Sequence, residues 1–299
     1  MLINEKPLVS IIMNCHNGEE YLKDAIQSVL SQTYNDWELV FWDNKSEDNS
    51  AKIFKSYDDK RFRYFYSNKF TSLYEARNFA IEKSEGEFIA FLDTDDMWRE
   101  DKLELQIPCF ENKEVGLVFS NLWIIKKNMK KKKLYSKQQL PSGNIYNELI
   151  DNYNIGLLTS VLRKNYFNKL EKKFDNRYSI IGDFDLFLRL AKICQFKSIQ
   201  KPIAFYRLHG KNLTTTIKEK EVEETDIWLN ENKLQLTEAQ FQKIIKNNYV
   251  KKFVDYKLDG KYKDCINLIL EKKVNFFNFK ILILLFTPSI VLKKLLWFR

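Results

Sequence analysis

Residues 88–98 read FIAFLDTDDMW, an apolar run that stops at three carboxylates, Asp93, Asp95 and Asp96, with Trp98 close behind. A short apolar stretch bounded by charge has the pattern of a strand buried on both faces. Carboxylates crowded at a partly desolvated strand end repel one another, which is costly unless a cation offsets the charge. A hard divalent ion, Mg2+ or Mn2+, does this with one or two protein carboxylates, water and substrate phosphates. The competing reading is a turn in which an aspartate caps the next helix. The surroundings of the motif weigh between the two.

Upstream, LVSIIM (8–13), WELVFW (37–42), FRYFYS (62–67) and EFIAFL (87–92) are apolar, β-rich runs. Between them helical spacing recurs: Tyr21, Leu22, Ala25, Ile26, Val29 and Leu30, then short helices near 50–57 and over 73–83. A helix around 100–110 leads to VGLVFSN (115–121). Near-continuous apolar strands separated by helices predict an α/β fold with a mainly parallel sheet covered on both faces. In such sheets ligands bind beyond the carboxyl ends of the strands. Asp43 ends one strand and the Asp93–Asp96 cluster ends another, so both deliver acids to one rim.

Beyond residue 120 come a lysine-rich loop, a helix near 144–152, a strand-like LLTSVL (157–162) and a helix beginning near Gly182. From about 217 the chain reads as helical and charged, ending FFNFKILILLFTPSIVLKKLLWFR (276–299). The expected division is a domain over 1–215, with halves 1–120 and 121–215, and a helical region over 216–299.

The 299 residues are 44% hydrophobic and 15% aromatic, enough for a large core. Lys and Arg outnumber Asp and Glu by 49 to 40, which favours anionic partners. Eight glycines, with neither GxGxxG nor GxxxxGK[ST], exclude readable Rossmann and P-loop cradles. Two histidines, His16 and His209, leave little room for a Ser-His-Asp triad or a histidine-rich metal centre. Four scattered cysteines suggest neither a disulfide framework nor a zinc site, and fit a reducing cytoplasm. The N-terminus shows no signal-peptide pattern, so two N-x-S/T sequons carry no glycosylation expectation.

Three blocks then carry a resemblance: VSIIMNCHNGEEYLKDAIQSVLSQTYNDWELVFWDNKSEDNS (9–50), ARNFAIEKSEGEFIAFLDTDDMW (76–98) and GDFDLFLRLA (182–191). In their order and spacing they resemble the family-2 glycosyltransferases, inverting enzymes with the GT-A nucleotide-diphosphosugar transferase fold, over most of 7–215. The resemblance implies a nucleotide diphosphate sugar donor, a glycan or lipid-linked acceptor, and bacterial surface-polysaccharide biosynthesis. It implies that Asn14 and His16 line the base and ribose, and that Asp43 hydrogen-bonds the nucleobase. Asn44 departs from the pattern, which often has a second Asp there. Asp93-Thr94-Asp95 looks like the DxD motif, with Asp95 as main metal ligand, Asp96 as its rival and Asp93 near the ribose. Arg77 would face sugar or phosphate, or else simply lie on a helix surface.

The family usually supplies its general base from a Glu-Asp pair at a helix N-terminus, and here that slot reads Gly182-Asp183. Asp183 is the implied base, with Asp185 as fallback; both also suit a helix start through capping and the dipole. FYRLHGKN (205–212) resembles a segment that closes over the diphosphate. Arg207 and Lys211 would offset leaving-group charge there. His209 would touch metal or phosphate, or be structural. Trp98 reads as a sugar-side wall or as a core aromatic.

The six lysines of KKNMKKKK (126–133) come without nucleic-acid motifs or interleaved aromatics, so no nucleic-acid partner is expected. The longest apolar run in the tail, ILILLFTPSIVL (281–292), falls short of the ~20 residues that span a bilayer. With lysines on both sides it reads as an interfacial anchor, against a buried helix as the alternative. That places the expected enzyme in the cytoplasm, peripheral on the inner face of an anionic membrane. Two rivals stand beside this reading: a sugar-phosphate nucleotidyltransferase, whose usual glycine-rich loop NCHNGEE lacks, and a non-catalytic scaffold.

Overall fold

The computed structural model describes residues 7–126, 132–270 and 279–295, which fall into two units, Met1–His209 and Gly210–Arg299. Most of the lysine cluster and parts of the apolar tail therefore lie outside the described residues.

In the first unit, β1 (Val9–Cys15), α1 (Leu22–Leu30), β2 (Trp37–Asp43), α2 (Ser50–Lys55), β3 (Phe62–Tyr66), α3 (Leu73–Glu82) and β4 (Phe88–Phe91) alternate as the apolar periodicity predicts. The four strands run parallel in the order β3-β2-β1-β4. Every residue of β1 and β4 is buried, which explains why these runs show no polar alternation. On α1, Leu22, Ala25, Ile26 and Val29 face the sheet at helical spacing. At the head of α3, the Ser72 hydroxyl accepts the Glu75 N–H. Cys15 lies opposite Asp43, and Ile12 opposite Phe91, so the three strand ends share one edge.

The chain continues through β5 (Met97–Trp98), α4 (Lys102–Gln106), β6 (Val115–Lys126), β7 (Lys132–Leu134), α5 (Tyr146–Asp151), β8 (Val161–Arg163), α6 (Lys164–Lys169), α7 (Gly182–Ala191) and β9 (Gln195–Leu208). The sheet extends as β4-β8-β6-β9-β5, with β7 beside β6. This half is mixed: β8 runs against β4 and β6, β9 runs with β6, and β5 runs against β9.

Two elements differ from the sequence expectation. LLTSVL is a turn of 3-10 helix, Leu157–Thr159, followed by β8. The hydroxyls of Thr159 and Ser160 donate to Gly156 O and Leu157 O, which competes with an extended ladder. β9, the longest strand, shows no clean alternation and contains Pro202, where the β6 register slips.

The second unit is helical: α8 (Leu213–Thr216), α9 (Lys218–Asn232), α10 (Glu238–Leu258), α11 (Tyr262–Leu270), α12 (Phe279–Phe286) and α13 (Ser289–Leu295). Thr237 and Gln240 form a reciprocal capping box at the start of α10. Val250, Phe253, Val254, Cys265 and Leu268 form its core, with Leu284 packed against it. Pro288 divides α12 from α13, and no helix among the described residues is long and apolar enough to cross a membrane.

In the first unit, Lys102 is fully buried and its Nζ has no hydrogen-bond partner. It lies 4.0 Å above the Trp98 ring, and burial pushes its pKa well below the ordinary lysine value. A depressed lysine pKa penalises the folded state at every pH where the unfolded chain carries the proton, including pH 7. Lys102→Met is therefore expected to raise the unfolding free energy, measured by urea denaturation at pH 7, by about 1–2 kcal/mol, with the gain shrinking toward pH 10.

Candidate active site

The edge where β1, β2 and β4 end collects most of the expected site residues. Asp43 closes β2 and is fully buried; Tyr64 Oη donates to its Oδ2 at 2.7 Å and the Ser46 N–H to its Oδ1 at 2.8 Å. Asn44 braces the rim instead of charging it: its amide donates to Thr71 O, and its Oδ1 accepts from the Thr71 N–H and hydroxyl. His16 follows β1, with Nδ1 3.0 Å from Asn44 O and its ring 4.5 Å from that of Phe70. Asn14, near the end of β1, keeps a buried Nδ2 without a hydrogen-bond partner. Gly18 follows the same strand, and a Cβ there would lie 2.7 Å from Thr94 Oγ1 and 3.1 Å from Cys15 Sγ. The loop after β1 thus rests directly on the acidic turn.

Within that turn each carboxylate has a different partner. Arg77 on α3, 4% exposed, donates from one nitrogen to both oxygens of Asp93, at 2.8 and 3.0 Å. Asp95 Oδ2 lies 2.8 Å from His209 Nε2. Asp96 Oδ1 accepts the Arg207 N–H at 2.9 Å. Burial, with the charges of Asp95 and Asp93, raises the Asp96 pKa well above the carboxylate range.

Three expectations change in this light. Asp96 is 2% exposed and tied to the backbone, so it is no rival to Asp95 as a ligand for an incoming cation. Arg207 is 3% exposed and braces the turn from behind. Its guanidinium donates to Asp95 O and Asp24 and lies 4.5 Å from the Tyr21 ring, so it is not turned toward a leaving group. Trp98 is a core aromatic, not a sugar wall: its Nε1 donates to Leu158 O, and it is 4% exposed.

Asp95 and His209 remain as a carboxylate oxygen and an imidazole nitrogen side by side. Such donors fit Mn2+ or Mg2+ when a diphosphate and water supply the other ligands. Among the described residues no group of three or more His, Cys, Asp or Glu side chains could by itself hold a metal ion.

Asp183 is the second residue of α7. Tyr153 Oη donates to its Oδ2 at 3.0 Å, and Tyr74 Oη lies 3.4 Å from its Oδ1. Burial raises its pKa, with Tyr153 and the Arg77 charge opposing. Asp185 is buried and paired with Arg189 one turn on, which makes it a brace of α7, not a second base. Arg77 therefore links the two halves of the site, bonded to Asp93 and close enough to Asp183 for their charges to interact.

Residues 10–189 match the family model described as "Glycosyl transferase family 2". The chain belongs to glycosyl transferase family 2. It is 35% identical over 185 residues, 62% of this chain and 70% of the relative, to the Escherichia coli UDP-Glc:alpha-D-GlcNAc-diphosphoundecaprenol beta-1,3-glucosyltransferase WfgD. It is 30% identical over 172 residues, 57% and 68% of the two chains, to Bacillus subtilis (strain 168) TuaG, a glycosyltransferase named for teichuronic acid biosynthesis. The S. aureus TarS 1-349 structure in complex with UDP-GlcNAc superposes with TM-score 0.65 at 18% identity, covering 82% of this chain and 72% of that one. That likeness fixes the fold of this glycosyltransferase as GT-A.

Sequence reasoning missed Tyr64, Tyr74, Tyr153 and Asp24. None lies in a short motif, and each reaches the site from an element distant in sequence. The Arg77–Asp93 pair is lopsided, since the arginine is buried and the aspartate side chain is 41% exposed. Asp93→Ala is expected to cost about 3 kcal/mol by stranding a buried guanidinium, and Arg77→Met clearly less; urea unfolding of both variants measures the difference.

Proposed function

We propose that this glycosyltransferase moves a sugar, with inversion, from a nucleotide diphosphate sugar to a glycan or lipid-linked acceptor in surface-polysaccharide assembly. The observation that carries the reading is the grouping of charged side chains in which Arg77, bonded to Asp93, lies within electrostatic reach of Asp183, with the Asp95–His209 pair in the same turn as Asp93. In this reading Asp183 is the base and the acidic turn borders the donor. The Escherichia coli relative's name gives UDP-Glc as donor and a diphosphoundecaprenol-linked acceptor, and the S. aureus structure contains UDP-GlcNAc; both support these substrate classes.

In this reading Asn14, His16 and Asp43 border the base and ribose, with Asp43 acting through the loop it orders. Asp183 accepts the proton of the acceptor hydroxyl as that oxygen attacks the anomeric carbon, while the bond from carbon to phosphate oxygen breaks on the opposite face. Arg77 keeps Asp93 neutralised and steadies the donor side of the turn. Asp95 and His209 would hold Mg2+ or Mn2+, which when bound neutralises charge on the departing nucleoside diphosphate.

A membrane-surface role also belongs to the proposal. On α11, Tyr262, Ile266, Ile269 and Leu270 are exposed at helical spacing, and on α12 and α13 Ile283, Phe286 and Ile290 are exposed while Leu284 and Leu292 turn inward. These faces, in a chain of net charge +9, suit an anionic lipid interface.

Hydrolysis of UDP-glucose and UDP-GlcNAc in the presence of Mn2+ tests the chemistry. Asp183→Asn is expected to lose about 10²- to 10⁴-fold in turnover while still binding UDP, and Asp95→Asn to lose its dependence on Mn2+. Wild-type rates in Asp183→Asn would refute the assigned base. Because the raised pKa of Asp183 belongs to a group that must be ionised, turnover should fall as pH drops through a value above the ordinary aspartate range. For the membrane role, Phe286→Glu with Ile290→Glu should abolish co-sedimentation of the full chain with phosphatidylglycerol vesicles, leaving UDP binding intact.

A further inference from the structure

Gly182 and Asp183 open α7, and the space above them is filled by two tyrosines from elsewhere in the unit. A Cβ built on Gly182 would lie 2.5, 2.6 and 2.7 Å from Cε2, Cδ2 and Cζ of Tyr74. No side chain fits there while the ring holds its position, and the ring is fixed: it stacks on Phe174 at 5.2 Å and is 3% exposed. Its hydroxyl donates to Ile180 O at 2.8 Å and lies 3.4 Å from Asp183 Oδ1. Tyr153 comes from the segment after α5, its ring edge-on to Phe184 at 5.3 Å, and donates to Asp183 Oδ2 at 3.0 Å.

We propose that Tyr153 is the positioning residue for Asp183, holding the carboxylate in one orientation at the head of α7, and that Tyr74, admitted only because residue 182 is glycine, forms the opposing wall. The inference rests on the reading of Asp183 as base and extends it to two residues that carry no chemistry of their own.

The charged and titratable surroundings bear this out. Asp183 faces Tyr74 and Arg77 from α3 and Tyr153 from the segment after α5, with Asp93 beyond Arg77 and Tyr135 beside Tyr153. Burial, then the charge of Asp183, drives the Tyr153 pKa well above the ordinary tyrosine value, so its hydroxyl remains a donor throughout the working pH range. A hydrogen bond given to the ionised carboxylate favours that form. Against it stands burial, which raises the Asp183 pKa. Removing the Tyr153 hydroxyl takes away the opposing bond, and the midpoint moves upward.

The test is a carbon-13 NMR titration of aspartate-labelled full-length protein, with the Asp183 signal assigned by its loss in Asp183→Asn. Tyr153→Phe is expected to raise the Asp183 midpoint by about one pH unit and to shift the acid limb of UDP-glucose or UDP-GlcNAc hydrolysis by the same amount, with rates recovering at high pH. A midpoint within 0.2 unit of wild type, a tolerance of roughly 0.3 kcal/mol, overturns the inference while leaving the base reading to its own test. Conversely, a shifted midpoint in a protein whose Asp183→Asn variant turns over normally overturns the base reading and retains the positioning. For the wall, Gly182→Ala should lower the thermal midpoint in the wild-type background and much less in Tyr74→Ala; strict additivity of the two changes refutes the shared space.

Discussion

Three carboxylates within four residues can end a buried strand only if positive charge or hydrogen-bond donors are fixed beside them, and much of the first unit is arranged around that requirement. The protein meets most of it with its own groups. Arg77 arrives from α3 to hold Asp93, and the backbone N–H of Arg207, from β9, holds Asp96, while the Arg207 side chain bridges to Asp24 and Asp95 O. Both arginines are almost wholly buried, so their charges act through low-dielectric surroundings where they count for more than at a surface. Asp95 lies beside His209, its Oδ2 within hydrogen-bond distance of Nε2.

This explains why the sheet changes character part-way across. The parallel half brings three strand ends to one edge, which any doubly covered α/β sheet would do. The mixed half supplies what that edge lacks. β9 returns beside β6 and β5, and its end delivers Arg207, with His209 just beyond, to the turn that links β4 and β5. The acidic turn is thus held at both ends by strands and from behind by a guanidinium, so this loop has the rigidity of the sheet.

The parallel half was legible because its strands are buried on both faces and its helices show one clean apolar stripe; α1 and β1 could hardly be read otherwise. β9 was not, because a strand that alternates irregularly around Pro202 has no period to detect. In the site, the acids were visible as types and spacings, whereas their partners were not. Whether Asp96 or Asp95 stays accessible depends on Arg207, more than a hundred residues away in the chain, and the sequence around Asp96 carries no trace of it. Trp98 beside the acidic motif suggested a sugar contact for the same reason that it was ambiguous, since a ring at the entry to a helix serves a core equally well.

The close fit between Gly182 and Tyr74 has a consequence for how such a chain can diverge. Two residues that occupy one volume cannot enlarge independently, so a lineage in which position 182 is glycine and position 74 is aromatic must shrink the ring before a larger neighbour can appear. The order of those two substitutions is dictated by atomic radii, and the reverse order passes through an intermediate that packs poorly. Descendants are accordingly channelled: the tyrosine, once seated, guards the absence that allowed it in.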